Sequence, residues 1–196
     1  MKRPTAWIAL CSLLACGGAD SGDVAPAGES AAVVADEETA AMEPEPGVGA
    51  ARAEMVDAEG RGLGAVILNE SGGEVALAGA LIGLSPGEHG FHIHETGACD
   101  PPDFESAGSH VAPAGNPHGF HAEGGPHAGD LRNLVAGSDS IATVEFKTPL
   151  VSLRDGDAPL LDDDGSALVV HADPDDYVSQ PAGNSGARIA CGVIEE

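Results

Sequence analysis

The sequence predicts an all-β fold, a sandwich or barrel of about eight strands. Three observations carry that prediction. Glycine (28 residues) and proline (14) are abundant, and aromatic residues make up only 3%. From Ala51 onward, short β-compatible runs are separated by turn chemistry. Candidates for long helices are few.

The elements follow in order. ARAEMVDA (51–58) is the first run, and DAEGRGLG closes it with turn residues. GAVILNE (64–70) and EVALAGALIGL (74–84) are separated by SGGE, a short hairpin connection. GEHGFHIHE (87–95) reads as a fourth strand. A stretch of loop composition then runs from Thr96 to about Gly137, and loops of that length inside a compact domain tend to be functional. SIATVEFKT (140–148), LVSLRD (150–155), ALVVHA (167–172) and ARIACGVIE (187–195) complete the set.

The N-terminus has a different texture. Lys2 and Arg3 precede an apolar stretch, WIALCSLLA (7–15), too short to span a bilayer. It ends in LLAC, which resembles a bacterial lipobox with cleavage before Cys16 and lipid on its thiol; an ordinary secretory signal is the alternative. Residues 1–15 are thus expected to be a lipoprotein signal peptide. Residues 16–50, rich in Ala, Glu, Asp, Gly and Pro, are expected to be a disordered acidic tether, with a short helix near 35–42 as the alternative. The folded domain is expected at 51–196. The chain is then exported and lipid-anchored to the envelope, in the periplasm or at the cell surface, and multiple acyl chains anchor stably.

The formal net charge is −24, and loss of Lys2 and Arg3 leaves 6 basic against 32 acidic residues, or −26. Such a surface repels nucleic acid and anionic lipid, so contact with a membrane is expected only through the anchor. A small anionic substrate needs a local positive focus, such as a metal ion or an arginine. With Cys11 in the signal and Cys16 lipidated, Cys99 and Cys191 are an even pair in an exported protein, which favours a disulfide.

All eight histidines lie between His89 and His171. His92 and His94, two apart on a strand, point the same way. His110, His118 and His127 share one Gly/Pro-rich loop, and Asp130 follows three residues after His127. Three imidazoles and one carboxylate make a closed tetrahedral zinc set, structural in character. His92, His94 and His171 remain, and imidazoles with an open face suit copper, which cycles between two redox states.

HGFHIHE, SAGSH, PHAGDL, LVVHA and GNSGARIACGVI, in this order, closely resemble copper/zinc superoxide dismutase over about residues 51–196. The resemblance implies an eight-stranded Greek-key β-barrel or sandwich with long metal-binding and active-site loops. It implies copper held by His92, His94, His110 and His171, and zinc held by His110, His118, His127 and Asp130, with His110 bridging the two. It implies that Asp175 links His92 to His118, that Arg188 guides the superoxide anion, and that Cys99 and Cys191 form the family's disulfide. Spacing prefers His118 over His121 and Asp175 over Asp176, while His89 fits a structural role in bonding backbone. Val111, Ala112 and Ala182 depart from the family's frequent Phe, Asn and Thr, and the segment 171–191 carries no lysine. The rival reading is a non-catalytic copper/zinc-buffering module; a plain adhesion sandwich leaves the histidine clustering unexplained. Monomer and homodimer both stay open.

Overall fold

The structure is a computed structural model that describes residues 50–196. The expected signal peptide, Cys16 and the expected tether up to residue 49 lie outside the described residues, while Ala50, expected to end the tether, is the first residue of a strand.

Among the described residues, nine strands form one antiparallel sheet: β1 (Ala50–Asp57), β2 (Gly62–Ser71), β3 (Glu74–Ile82), β4 (Gly87–His89), β5 (Phe91–His94), β6 (Leu134–Ala136), β7 (Ile141–Thr148), β8 (Ala167–His171) and β9 (Arg188–Glu195). Their order is β4-β6-β7-β3-β2-β1-β9-β8-β5. The two ends of that order, β4 and β5, are consecutive in the chain and separated only by Gly90. The sheet therefore closes on itself, and β4 with β5 counts as one bent strand of an eight-stranded barrel. At Gly90 the backbone leaves β6 for the other side: its N–H donates to Asp173 O (2.9 Å), and its carbonyl accepts from His171 N–H (2.8 Å). The step from β3 to β4 passes over β6 and β7, and β7 to β8 likewise skips neighbours, which gives Greek-key connectivity.

Alternation explains the faces. Phe91 and Ile93 of β5, and Leu168 and Val170 of β8, point into the barrel core with Leu68, Leu77, Leu81 and Val144. Their neighbours point outward yet are also buried, because loops cover that side. A second, smaller core lies there, built from Phe104, Ala107, Ala167, Val169 and Cys191, with Cys99 packed against it. Cys99 and Cys191 form the expected disulfide, which links the loop after β5 to β9. Closing a loop of 92 residues restricts the unfolded chain by about 4–5 kcal/mol in the chain-entropy model.

Two expectations change. LVSLRD is not a strand. Val151 and Leu153 are buried on alternate positions, which mimics strand patterning. Their backbone is satisfied otherwise: Ser152 N–H donates to Ala158 O (3.1 Å) and Leu153 N–H to the Glu70 carboxylate (2.8 Å). Conversely, the stretch read as one loop from Thr96 to Gly137 contains β6, three residues that pair with β4.

Candidate metal centre

The ligand-bearing loop is placed by backbone pairing along the free edge of β5. Ile93 N–H donates to Gly129 O (2.8 Å), Val111 N–H to Ile93 O (3.0 Å) and Glu95 N–H to Ser109 O (2.8 Å). His110 thereby lies opposite His94, and Asp130 opposite His92. Gly129 permits this approach, since a Cβ there would fall 2.2 Å from Ile93 O. On the other edge of β5, β8 brings in His171, and a register shift between Val170 and His171 sets His171 opposite Arg188 of β9.

The hydrogen bonds then fix which nitrogen of each ring is free. His92 Nε2–H donates to Asp175 Oδ2 (2.9 Å), His94 Nδ1–H to Gly108 O (3.0 Å) and His171 Nδ1–H to Gly186 O (3.3 Å). In a neutral imidazole the opposite nitrogen carries a lone pair. Those opposite atoms are His92 Nδ1, His94 Nε2 and His171 Nε2; with His110 Nε2 they are the buried side-chain polar atoms that find no partner among the described residues. These four residues bring ligand atoms within 4.8 Å of one another. Buried polar atoms are normally satisfied, so four such lone pairs gathered around one space fit a cation. Burial holds the rings neutral: it pushes His92 down to about 4, His171 to about 3 and His94 well below the usual imidazole range.

A second set meets on the other side of His110. Asp130 Oδ1 lies 2.9 Å from His110 Nδ1, 3.0 Å from His118 Nδ1 and 3.4 Å from His127 Nδ1, and the Nδ1 atoms of His127 and His110 are 3.4 Å apart. Donors about 2.0–2.1 Å from a tetrahedral zinc stand roughly 3.3 Å from one another, so this set has the right size. His92 also comes within reach of His110, His118 and Asp130. Its Nε2 is engaged by Asp175, however, which makes His127 the better fourth donor. Asp130 Oδ2 accepts from Gly119 N–H (2.8 Å) and His127 N–H (3.0 Å), leaving Oδ1 for the cluster.

Asp175 joins the two sets. Its Oδ2 accepts from His92, and its Oδ1 from His118 Nε2–H (3.0 Å). Burial alone would lower His118, but the carboxylates of Asp130 and Asp175 outweigh it and push the ring up to about 9. Burial raises both acids, yet their hydrogen bonds to histidine hold each far below the usual carboxylate range. Gly183 is required here, for a Cβ on it would overlap Asp175 Oδ1.

Arg188 is half-buried. Its Nη1 donates to Phe104 O (2.6 Å) and its Nη2 to Gly108 O (2.6 Å), so the guanidinium is held in one plane with donors to spare. It lines a cavity of about 430 Å³ with His94, His110, His171, Ala182 and Gly186.

Each residue singled out in the sequence has its place. His92, His94, His110 and His171 form one group; His110, His118, His127 and Asp130 form the second. His121 stands outside both, with its ring against Tyr177. Asp176 binds Ser179 and Asn184 instead of a histidine. His89 binds two carbonyls, those of His171 and Ser85 (both 2.8 Å), and so ties a loop to β8. Sequence reading missed the carbonyl of Gly108, which serves both His94 and Arg188. A backbone group leaves no signature in residue types.

Comparison with known proteins agrees with this geometry. The copper/zinc superoxide dismutase family profile matches residues 63–194. The chain is similar to a superoxide dismutase [Cu-Zn] of Caulobacter vibrioides, 49% identical over 140 residues that cover 70% of this chain and 80% of that one. Among solved structures it is similar to a SOD-like protein from Bacillus subtilis (TM-score 0.70, 42% identity, 72% of this chain and 96% of that one). It is also similar to the Cu/Zn superoxide dismutase from Brucella abortus (TM-score 0.61, 30% identity, 74% of this chain and 99% of that one). The match spans most of the described barrel and both histidine groups, and the chain belongs to the copper/zinc superoxide dismutase family.

Proposed function

We propose that the chain is an exported superoxide dismutase, held to the bacterial envelope by lipid on Cys16. The activity is that of its family: two superoxide anions and two protons become dioxygen and hydrogen peroxide, with copper and zinc as cofactors. The observation that carries this reading is the set of four buried, unpartnered imidazole nitrogens beside a half-buried arginine.

His92 Nδ1, His94 Nε2, His110 Nε2 and His171 Nε2 are the atoms that would hold copper. His110, His118, His127 and Asp130 would hold zinc, and His110 would thereby be oriented from its Nδ1 side. Copper held by the first four atoms would supply the one-electron exchange that dismutation needs. The protein supplies the rest. Arg188 offers the anion a fixed positive charge and free N–H donors inside the cavity. His110 Nε2, whenever it is not bound to copper, would be the buried atom placed to hold a proton for the second anion. Gly108 O and Gly186 O keep the rings of His94 and His171 in place.

The test compares superoxide consumption by the chain loaded with copper and zinc against a zinc-only preparation. Copper-dependent turnover is expected. Stoichiometric copper binding without turnover would instead support a buffering module, which needs no arginine in its cavity.

The raised pKa of His118 gives a signed expectation for zinc. Near pH 7 the ring is protonated in the metal-free protein, because its pKa is about 9. Zinc takes the lone pair, so His118 must release about one proton on binding. Zinc affinity should therefore rise with pH and level off above about 9. Calorimetry in buffers of different protonation enthalpy measures this, and zinc uptake near pH 7 without proton release would contradict it.

The anchor rests on Lys2, Arg3, the short apolar stretch and LLAC. Cys16→Ser is expected to abolish incorporation of labelled fatty acid and move the protein from the membrane to the soluble fraction. Retention of the label would place the lipid elsewhere.

A further inference from the structure

Asp175 holds the two histidine groups together, yet it sits in the loop between β8 and β9 with no regular element beneath it. Its environment shows what keeps it in place. Asn133, 42 residues earlier in the chain, pairs with it as a neighbouring strand would: Asp175 N–H donates to Asn133 Oδ1 (2.9 Å), and Asn133 Nδ2 donates to Asp175 O (3.0 Å). Asn133 is itself fixed, because its backbone N–H donates to the Tyr177 hydroxyl (2.9 Å). Tyr177 then returns to the carboxylate, its own N–H donating to Asp175 Oδ1 (2.6 Å), the same oxygen that serves His118.

Tyr177 has a left-handed backbone (φ 62°), which is unusual for a bulky residue and persists only where the surroundings demand it. Those surroundings come from two other segments. The ring packs against Phe120 and His121 (centroids 5.7 and 5.5 Å), and the Arg132 guanidinium lies over the rings of Phe120 (4.6 Å) and Tyr177 (5.5 Å). Tyr177 O accepts from His121 N–H (3.0 Å), and Gly119 lies so close that a Cβ would fall 2.1 Å from that oxygen.

We propose that Asn133 and Tyr177 are positioning residues for zinc: they hold Asp175 so that its carboxylate orients His118. The inference rests on the metal assignment above. It predicts an asymmetry between the metals. His92 belongs to β5, whose pairing with β8 holds its backbone whatever Asp175 does. His118 lies on a loop, and the hydrogen bonds of its ring go to the carboxylates of Asp175 and Asp130. Loosening Asp175 therefore disturbs the zinc set much more than the copper set.

The experiment uses the full chain, stripped of metal, with zinc and copper affinities measured separately against competing chromophoric chelators. Asn133→Ala is expected to weaken zinc on the order of 10–100-fold, the effect of losing a group that orients a ligand, while copper affinity stays near the wild-type value. Tyr177→Phe keeps the ring and removes only the hydroxyl, and is expected to lower zinc affinity in the same direction by less. It keeps the test open if Asn133→Ala does not fold. Unchanged zinc affinity in both variants would overturn the proposal. So would parallel loss of zinc and copper together with a lower Tm of the metal-free protein, which marks a merely structural role. Failure of the wild-type chain itself to take up zinc would overturn the metal assignment, and the proposal with it.

Discussion

His110→Ala is expected to eliminate dismutation, with kcat/KM falling by more than about 100-fold, because losing even a group that merely orients a ligand costs about 10–100-fold. His110 has a nitrogen in each set. Its Nε2 is among the four unpartnered atoms, and its Nδ1 lies 2.9 Å from Asp130 and 3.4 Å from His127. Removing the ring takes a donor from both metals and leaves Asp130 short of one partner. The copper absorption and electron paramagnetic resonance spectra should both change. A variant that binds both metals with native spectra would refute the bridging assignment.

Arg188→Ala is expected to lower kcat/KM on the order of 10–100-fold, the range over which local charge accelerates capture, with copper affinity and spectra retained. Arg188 touches carbonyls, not ligand nitrogens, so His94 keeps its bond to Gly108 O. Arg188→Lys should fall between, since it keeps the charge and loses the planar fork. Salt gives a second readout. Asp103 and Glu105 act on Arg188, Glu95 lines the same cavity, and the chain carries a formal net charge of −24. Shrinking the Debye length from about 30 Å at 0.01 M to about 8 Å at 0.15 M screens that repulsion. Wild-type kcat/KM should rise with salt, and the alanine variant more steeply, having no local charge to offset the repulsion. A wild-type rate that falls with salt would mean that Arg188 and the metals outweigh the acidic surface even at long range.

Much of this was legible in residue types. HxH on an alternating strand states that two imidazoles share a face, and β5 shows them there, with Phe91 and Ile93 on the other side. The clustering of His110, His118, His127 and Asp130 along one loop also survives, because backbone pairing draws that loop along the β5 edge. What stayed hidden depends on distance along the chain. β6 is three residues long, too short for alternation to register, and only its pairing with β4 makes it a strand. LVSLRD failed for the opposite reason: Val151 and Leu153 alternate correctly, but they plug a turn whose N–H groups bond to Ala158 and Glu70. Asn133 and Tyr177 act through contacts 42 and 44 residues apart, and nothing in either residue's neighbourhood hints at the other.

The carbonyl of Gly108 accepts from both His94 and Arg188. One atom is thus the common datum from which the proposed copper ligand and the proposed seat of the anion are both measured. A shift of the surrounding loop carries the two along in step and preserves their spacing. Substitution at the exposed positions 100–103 and 105 can accordingly alter how that loop looks from solvent without changing that spacing. The part of this catalyst least free to vary is a peptide oxygen, which substitution at its own position cannot remove but a backbone twist can.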